Sequence, residues 1–280
     1  MRRCNTVVEE QETVLVGLIG GGFMGEAIVG GLIKAGVARS QDLCVVEPIA
    51  ERREAFTMAH NGLHVSGTPD AQLATCEALI IAVKPPDFVK AAKALRPVLR
   101  PEQLAISIMA GVRVATLTEE LGHRRIVRVM PNTPAALGAG FSGWMPTEAV
   151  TETQRLLTRR ILGALGREAE FDDERYLDMV TAISGSGPAY VFLFLEAYIN
   201  AAVHIGMPRP QATEMVFQTV RGSVEMAQTG GEHLAALRDM VTSPGGTTTD
   251  ALHMLEQAGL RAAMTEAVTA AYEKSRALGG

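Results

Sequence analysis

A glycine-rich hexapeptide, GGGFMG at residues 20–25, constrains the fold of this 280-residue chain more than any other stretch. It follows a short apolar run and opens a segment with helical periodicity. In a GxGxxG turn between a strand and a helix, the first glycine permits the tight turn, the second lets the backbone approach a pyrophosphate, and the third allows close packing. A glycine-rich structural turn is the alternative. The position favours a nicotinamide or flavin dinucleotide bound by Gly20, Gly22, Phe23, Met24 and Gly25.

Short apolar runs recur through the first half of the chain and alternate with helical segments. These runs occupy residues 14–19, 43–47, 78–83, 104–108 and 125–130. Their near-continuous apolarity is typical of strands covered on both faces, as in a parallel sheet with crossover helices. We therefore predict an α/β fold whose N-terminal domain is a Rossmann-like doubly wound parallel sheet.

After Asp172 the apolar residues have helical spacing. For example, Tyr190, Phe194 and Tyr198 recur every four residues. Side chains at this spacing share one face of a helix, so the C-terminal part is predicted to be all-helical. Three segments are therefore expected, namely a loose leader over 1–13, a dinucleotide-binding domain over 14–171 and a helical domain over 172–280.

A helix start is predicted near the end of the first domain. Thr151 and Gln154 have the spacing of a capping box, in which the two side chains satisfy backbone N–H groups at the start of a helix. The apolar side chains expected on the buried face of this helix are Leu156, Leu157, Ile161 and Leu162.

Composition argues against several classes of partner. The net charge of −5 and the isoelectric point near 5.7 leave no basic excess for a phosphate backbone, so we expect no nucleic acid. Cys4, Cys44 and Cys76 form neither a paired framework nor a CxxC motif, which favours a reducing, cytoplasmic setting. The apolar stretch at 189–203 is interrupted by Glu196 and is shorter than the roughly 20 residues of a membrane span. We expect it to be a buried helix and expect no membrane contact.

An acidic residue, Glu47, ends the second predicted strand, where a Rossmann fold places the group that binds the adenosine ribose. A carboxylate there would accept hydrogen bonds from the ribose 2′-OH and repel a 2′-phosphate, which favours NADH over NADPH. Arg52 and Arg53 follow closely and would instead serve a 2′-phosphate. Solvated residues at the start of a helix are the third interpretation, so the choice between the two cofactors stays open.

The groups most used in catalysis are scarce. His60 and His64 are separated by an Asn-Gly pair that breaks any shared helix face, and the other histidines stand apart, so we predict no metal site. The turns after three predicted strands, at 82–85, 109–111 and 130–134, contain small residues and prolines suited to the walls of a nicotinamide pocket.

Two segments rich in hydroxyl groups and glycines lie in the C-terminal half. They are SGSGPAY at 184–190 and TSPGGTTTD at 242–250. Each runs into a helical pattern, and glycines there expose backbone N–H groups that together bind anions. Helix capping alone is the simpler interpretation, but two such turns beside a cofactor domain favour a site for a carboxylate.

These motifs resemble those of pyrroline-5-carboxylate reductase, the last enzyme of proline synthesis. The resemblance runs from residue 14 to residue 277 through the glycine turn, AVKP, RVMPNTPA, SGSGPAY and DMVTSPGGTTTDAL. It implies a Rossmann domain followed by a helical domain that interlocks with a second subunit as a homodimer, often in a pentamer of dimers. It also implies hydride transfer from NADPH or NADH to C5 of 1-pyrroline-5-carboxylate, giving L-proline.

The resemblance also assigns residues. It implies that the N–H groups of Gly246, Thr247 and Thr248, with Ser243 nearby, hold the substrate carboxylate, and that Thr248 is the catalytic residue beside the ring nitrogen. It places Glu174 near that nitrogen. The cofactor turns that it implies are Ala82, Val83, Lys84 and Pro85, and Ile108, Met109 and Ala110.

Departures from the family pattern leave alternatives open. Met109 stands where relatives commonly have alanine, and a larger side chain would alter the nicotinamide wall. A β-hydroxyacid dehydrogenase shares the two-domain plan, but its catalytic lysine corresponds here to Val191. A noncatalytic nucleotide-sensing relative is the other alternative, and the intact TSPGGTT segment argues against it.

Overall fold

The computed structural model describes residues 15–279, so the predicted leader, Cys4 and the first residue of the first predicted strand lie outside the described residues. Within that range, eight strands form one sheet in the order β3-β2-β1-β4-β5-β6-β7-β8. The strands are β1 Val16–Ile19, β2 Leu43–Val46, β3 His64–Ser66, β4 Ala78–Ile81, β5 Leu104–Ser107, β6 Ile126–Met130, β7 Gly140–Pro146 and β8 Gly166–Glu170.

The sheet is doubly wound, as predicted, with one departure from parallel pairing. Strands β1 to β6 pair in parallel, β7 runs antiparallel to β6, and β8 is parallel to β7. The chain leaves β1 first towards β2 and β3 and then returns to β4 on its other side. This reversal opens a crevice at the carboxyl ends of β1 and β4, which is where doubly wound folds bind ligands.

Three strands were not predicted, and each lacks a continuous apolar run. β3 has only three residues, β7 contains two glycines and a serine, and β8 reads GREAE. β3 and β8 lie at the two edges of the sheet and contain no buried residue, whereas β7 is mostly buried and runs antiparallel to β6. Pairing with a neighbour, rather than apolar patterning, therefore determines their conformation.

Eleven α-helices occur in the described part of the chain. The helices of the N-terminal part are α1 Phe23–Lys34, α2 Ala50–Ala59, α3 Phe88–Leu95, α4 Val114–Leu121, α5 Glu152–Gly163 and α6 Arg175–Val180. Those that follow are α7 Gly187–His204, α8 Arg209–Gly230, α9 Leu234–Met240, α10 Thr247–Gln257 and α11 Leu260–Leu278.

Successive side chains of the central strands are buried on opposite faces of the sheet. Leu18 and Ile80 belong to one apolar cluster, and their neighbours Ile19 and Ile81 belong to the other. All four side chains are nearly inaccessible to solvent, and each buried side chain of this size contributes about 1.5–3 kcal/mol to folding. Burial on both faces explains why these strands are apolar at every position.

The predicted capping box begins α5. The Thr151 side chain accepts a hydrogen bond from the N–H of Gln154, and the Gln154 side chain accepts one from the N–H of Thr151. Ile161 and Leu162 are buried as expected, but Leu156 is exposed, so its placement on the buried face was wrong. In a 3.6-residue period, Leu156 lies about 140° from Ile161, on the other side of the helix.

The chain divides into two compact units. One runs up to Gly185 and includes the segment from Tyr272, and the other is Ser186–Ala271. The division falls later than the boundary proposed at 171 and 172, because α6 packs against β6 and β7. The last turns of α11 belong with the first unit, where Ser275 bonds to Asp178.

The apolar stretch at 189–203 forms most of α7, but it is not a buried helix. Phe192, Leu193 and Phe194 are each at least half exposed. A 30-residue helical stretch, Arg175–His204, has the length and composition of a possible membrane span, with 22% of its most apolar window buried. Length and composition do not distinguish a span from a helix that another chain covers.

Candidate active site

The glycine turn after β1 has the geometry that the hexapeptide predicted. Gly20 has a φ of +105°, and a Cβ there would lie 2.8 Å from the carbonyl oxygen of Ala82. A Cβ on Gly25 would collide with the carbonyl oxygen of Gly20. Any other residue at either position would therefore strain the turn or separate α1 from β1.

The space for phosphates lies on the outer side of this turn. Gly22 is the N-cap of α1, and apart from its two neighbours in the chain no residue has a heavy atom within 4 Å of the position a Cβ would take there. Phe23 is 63% exposed, whereas Met24 packs against the apolar core. The first N–H groups of α1 have no intrahelical acceptor, so the structure provides an open, electropositive cradle that fits a dinucleotide pyrophosphate.

Two further predicted turns lie beside this cradle. The N–H of Ala82 donates to the carbonyl of Ile19 at the end of β1, and the N–H of Ile108 donates to the carbonyl of Ile81 at the end of β4. The turns that begin there, at 82–85 and 108–110, are therefore neighbours at the carboxyl edge of the sheet. Lys84, Pro85 and Ala110 are exposed at this edge, and Val83 is partly buried.

Met109 does not alter the nicotinamide wall in the way that the sequence suggested. Its side chain is 3% exposed and packs in the core on one face of the sheet with Val112 and Ile126. The extra volume relative to alanine is therefore accommodated in the protein interior. The exposed surface of this turn is formed by Ala110, which is as small as in the family pattern.

Glu47 occupies the predicted place at the end of β2 but is not open to solvent. Its carboxylate accepts hydrogen bonds from the N–H of Gly21 at 2.7 Å and from the N–H of Ile49 at 2.9 Å. Only 3% of the residue is exposed. This burial differs from the expectation of a carboxylate that is free to bind a ribose hydroxyl, because each oxygen already accepts a hydrogen bond from a backbone N–H group.

The TSPGGTTTD segment forms the start of α10 within the second unit. Gly245 has a φ of +69°, and Gly246 is the N-cap. Thr247 and Thr248 hold the first two helical positions, where N–H groups have no intrahelical acceptor and favour an anion. Thr248 is partly buried.

One of the three N–H groups proposed for the substrate carboxylate already has a partner within the turn before α10. The N–H of Gly246 donates to the carbonyl oxygen of Ser243 at 3.0 Å and closes the turn. The Thr249 hydroxyl donates to the same oxygen at 2.7 Å. The other two N–H groups proposed for the substrate carboxylate, those of Thr247 and Thr248, lie in the first turn of α10, where a helix offers no acceptor.

The SGSGPAY segment does not open as an anion-binding turn. A π-helix over Thr181–Gly185 leads into Ser186, whose φ of −83° and ψ of −23° are helical, and α7 follows. The Ser184 hydroxyl accepts a hydrogen bond from the Asn132 amide at 3.0 Å. The expectation of an anion-binding turn at 184–190 was therefore wrong, because the backbone there stays helical and the Ser184 hydroxyl is hydrogen-bonded to Asn132.

Glu174 lies in the first unit with a buried arginine as its partner. Its carboxylate is 2.6 Å from a guanidinium nitrogen of Arg128 and accepts the N–H of Val114 at 2.8 Å. The Arg128 side chain is 3% exposed, so the ion pair compensates a cation that the core could not otherwise hold. A role for Glu174 beside the substrate remains a prediction.

Sequence reasoning missed the polar cluster that continues from this pair. Asp178 lies 3.0 Å from a guanidinium nitrogen of Arg113 and 4.0 Å from one of Arg128, and the Ser275 hydroxyl donates to it at 2.9 Å. The cluster joins α6, the loop before α4, β6 and α11. No local pattern reveals it, because its members are far apart in sequence.

Two of the histidines have close polar partners in the first unit. His64 lies 2.8 Å from Asp70, and the buried His123 donates from Nε2 to the carbonyl oxygen of Gln103 at 2.9 Å. Burial lowers the pKa of His123. Among residues 15–279, no group of three or more His, Cys, Asp or Glu side chains could hold a metal ion.

Two family models match this chain. One, described as NADP oxidoreductase coenzyme F420-dependent, matches residues 15–111 and therefore the glycine turn. The other, described as pyrroline-5-carboxylate reductase dimerisation, matches residues 174–278 and therefore the helical part.

The pyrroline-5-carboxylate reductase of Escherichia coli (strain K12) is 42% identical to this chain over 266 residues, which are 94% of this chain and 97% of that protein. The chain belongs to the pyrroline-5-carboxylate reductase family. A solved pyrroline-5-carboxylate reductase from Coxiella burnetii has a TM-score of 0.87 at 34% identity and covers 96% of this chain and 100% of its own. The Plasmodium falciparum pyrroline carboxylate reductase, solved with NADP bound, has a TM-score of 0.86 at 33% identity, with the same coverage.

Membership of the pyrroline-5-carboxylate reductase family confirms the resemblance and the fold class. The chain is an oxidoreductase that uses a nicotinamide dinucleotide, and its helical part is the family's dimerisation domain.

Proposed function

We propose that this protein reduces the C=N bond of 1-pyrroline-5-carboxylate and releases L-proline, the last step of proline biosynthesis. The observation that carries the proposal is the 42% identity to the E. coli reductase over 94% of this chain. The open space at Gly22 and the first-turn N–H groups of α10 support it, because a dinucleotide pyrophosphate and a carboxylate are both anions that bind at helix N-termini.

The reaction needs little acid–base chemistry from the protein. NADPH or NADH supplies a hydride to C5 when bound, and the ring nitrogen must carry a proton for the C=N bond to accept it. An imine is basic enough to arrive protonated, so orientation of the two reactants is the main requirement. Holding reacting atoms in place contributes about 7–11 kcal/mol in well-oriented systems.

The residues of this chain then have distinct tasks. The Gly20–Gly25 turn and the first turn of α1 hold the pyrophosphate, and the turns at 82–85 and 108–110 flank the nicotinamide. The N–H groups of Thr247 and Thr248 hold the substrate carboxylate, with Ser243 and Gly246 shaping the turn. The Thr248 hydroxyl hydrogen-bonds the ring nitrogen and positions it or relays a proton from water.

Assembly of the active enzyme involves other copies of the chain. Exposed apolar side chains cover α7 and extend to Phe217 on α8, and a groove of about 660 Å³ is lined by residues of both helices. A homodimer formed through the helical domain would bury this surface. We also propose that five such dimers associate into a decamer. The expected location of the protein is the cytoplasm.

The proposal is tested by following NADPH and NADH oxidation with purified protein and 1-pyrroline-5-carboxylate. Oxidation that requires the substrate and yields proline in equal amount is the expected result. A lack of oxidation above background with both dinucleotides would refute the proposed reaction.

A further inference from the structure

The residue expected to select NADH, Glu47, supports the glycine turn instead. Its Oε2 accepts the N–H of Gly21 at 2.7 Å, and a Cβ on Gly21 would lie 3.1 Å from that same oxygen. Its Oε1 accepts the N–H of Ile49. The carboxylate therefore joins the glycine turn to the loop after β2.

A ribose 2′-OH needs an accessible acceptor, and Glu47 offers almost none. The side chain is 3% exposed, so a ribose beyond the glycine turn meets little of the carboxylate surface. Its charge is also compensated by two backbone N–H groups and by the Arg52 guanidinium at 3.8 Å. Both effects weaken the attraction for a ribose hydroxyl and the repulsion of a phosphate.

The two arginines that follow have different roles. Arg53 donates from Nη1 to the carbonyl oxygens of Glu47 at 2.9 Å and Pro48 at 2.8 Å, so it fixes the loop after β2. The Arg52 side chain is 49% exposed and lies beside Glu47 at the end of β2. It is also in the first turn of α2, where the helix dipole favours anions.

We propose that Arg52 selects NADPH by binding its 2′-phosphate, and that Glu47 positions the glycine turn without discriminating between the two cofactors. A guanidinium at the end of the second strand matches the place of the adenosine ribose in a Rossmann fold, and its donor geometry suits phosphate. The inference rests on the proposed function only in taking a nicotinamide dinucleotide as the hydride donor.

Isothermal titration of the full-length protein with NADP⁺ and NAD⁺ tests the inference without substrate. The fragments 2′,5′-ADP and 5′-AMP isolate the contribution of the 2′-phosphate. The variants are Arg52→Gln, Glu47→Gln and, as a matched control, Arg124→Gln, which removes an exposed guanidinium just before the amino end of β6.

The wild type is expected to bind NADP⁺ at least about tenfold more tightly than NAD⁺, the effect of one charged hydrogen-bonded pair. Arg52→Gln should abolish most of this preference and leave NAD⁺ binding unchanged, and Arg124→Gln should change neither. Glu47→Gln should weaken both dinucleotides by the same factor. If Glu47→Gln does not fold, the exposed Arg52 variant still decides the question.

Equal affinities in the wild type, or an unchanged ratio in Arg52→Gln, would overturn the inference. A rise in NADP⁺ affinity relative to NAD⁺ in Glu47→Gln would also overturn it, because the Glu47 carboxylate would then be discriminating between the 2′-OH and the 2′-phosphate. A protein that shows the expected binding but does not reduce the imine would refute the proposed function and leave this inference intact.

Discussion

The Ser275 hydroxyl donates a 2.9 Å hydrogen bond to the carboxylate of Asp178 across 97 residues of sequence, and both side chains are buried. Ser275 lies on the last helix and Asp178 on α6 beside the sheet. Arg113 binds the second oxygen of the same carboxylate. The end of the chain is thereby attached to the domain that contains the glycine turn.

Replacing Ser275 with alanine should lower the free energy of unfolding by about 1–3 kcal/mol, because the buried Asp178 carboxylate loses a donor. Urea unfolding at one fixed protein concentration measures the change, since dissociation of an oligomer also affects stability. Ser223→Ala is the matched control, as that hydroxyl is exposed on α8. Equal losses in both variants would contradict a structural role for the Asp178 bond.

Glu174→Gln should also destabilise the fold, lowering the free energy of unfolding by up to about 3 kcal/mol, because the nearly inaccessible Arg128 loses its closest anion. The remaining carboxylate, Asp178, lies 4.0 Å from Arg128 and compensates only in part. The KM for substrate, measured at a temperature where the variant is folded, distinguishes an ion-pair role of Glu174 from a role in contacting the substrate. An unchanged KM indicates an ion-pair role alone, and a raised KM supports the predicted contact with substrate.

Two neighbouring threonines on α10 should behave differently. Thr248→Ala should lower kcat more than it raises KM if the hydroxyl acts in the transition state, and Thr248→Ser should restore most of the activity. Thr249→Ala is the control, because that hydroxyl bonds to the carbonyl of Ser243 within the turn. A rise in KM alone for Thr248→Ala would limit Thr248 to substrate binding.

Phe192→Asp should dissociate the dimer, because this 63% exposed side chain is part of the apolar face of α7 and a charge there would be buried without a partner. Size-exclusion chromatography with light scattering measures the mass. Met58→Asp introduces the same charge at an 87% exposed position on α2 and should leave the mass unchanged. A dimer that survives Phe192→Asp would place the interface elsewhere.

Stability should fall as the pH drops below the ordinary histidine pKa of 6.5, because burial lowers the pKa of His123. Below that pH the unfolded chain binds a proton that the folded chain does not. Protonation therefore stabilises the unfolded state relative to the folded state. In His123→Gln the slope of the unfolding free energy over roughly the pH unit below 6.5 should be smaller. An identical slope in wild type and variant would exclude His123 as its source.

The glycine turn could be predicted because its backbone conformation and close contacts, which lie within a few residues, require glycine. Gly20 needs a positive φ, and Gly25 faces a carbonyl oxygen of its own turn. The central strands were predictable for a similar reason, since burial on both faces leaves an apolar signature in the sequence.

Pairings that depend on the folded chain could not be predicted in this way. Glu47 was placed correctly at the end of β2, but its burial depends on Gly21, which another strand brings to it. The cluster of Arg113, Arg128 and Asp178 assembles from distant segments. Met109 was expected at the cofactor surface because a sequence does not show which way a turn directs its side chain.

Isotope transfer tests the central claim most directly. With NADPH deuterated at the transferring position of the nicotinamide and unlabelled 1-pyrroline-5-carboxylate, mass spectrometry and NMR locate the label in the product. The account predicts L-proline with one deuterium at C5 for each NADPH oxidised. Proline without deuterium at C5, or dinucleotide oxidation without proline, would contradict it.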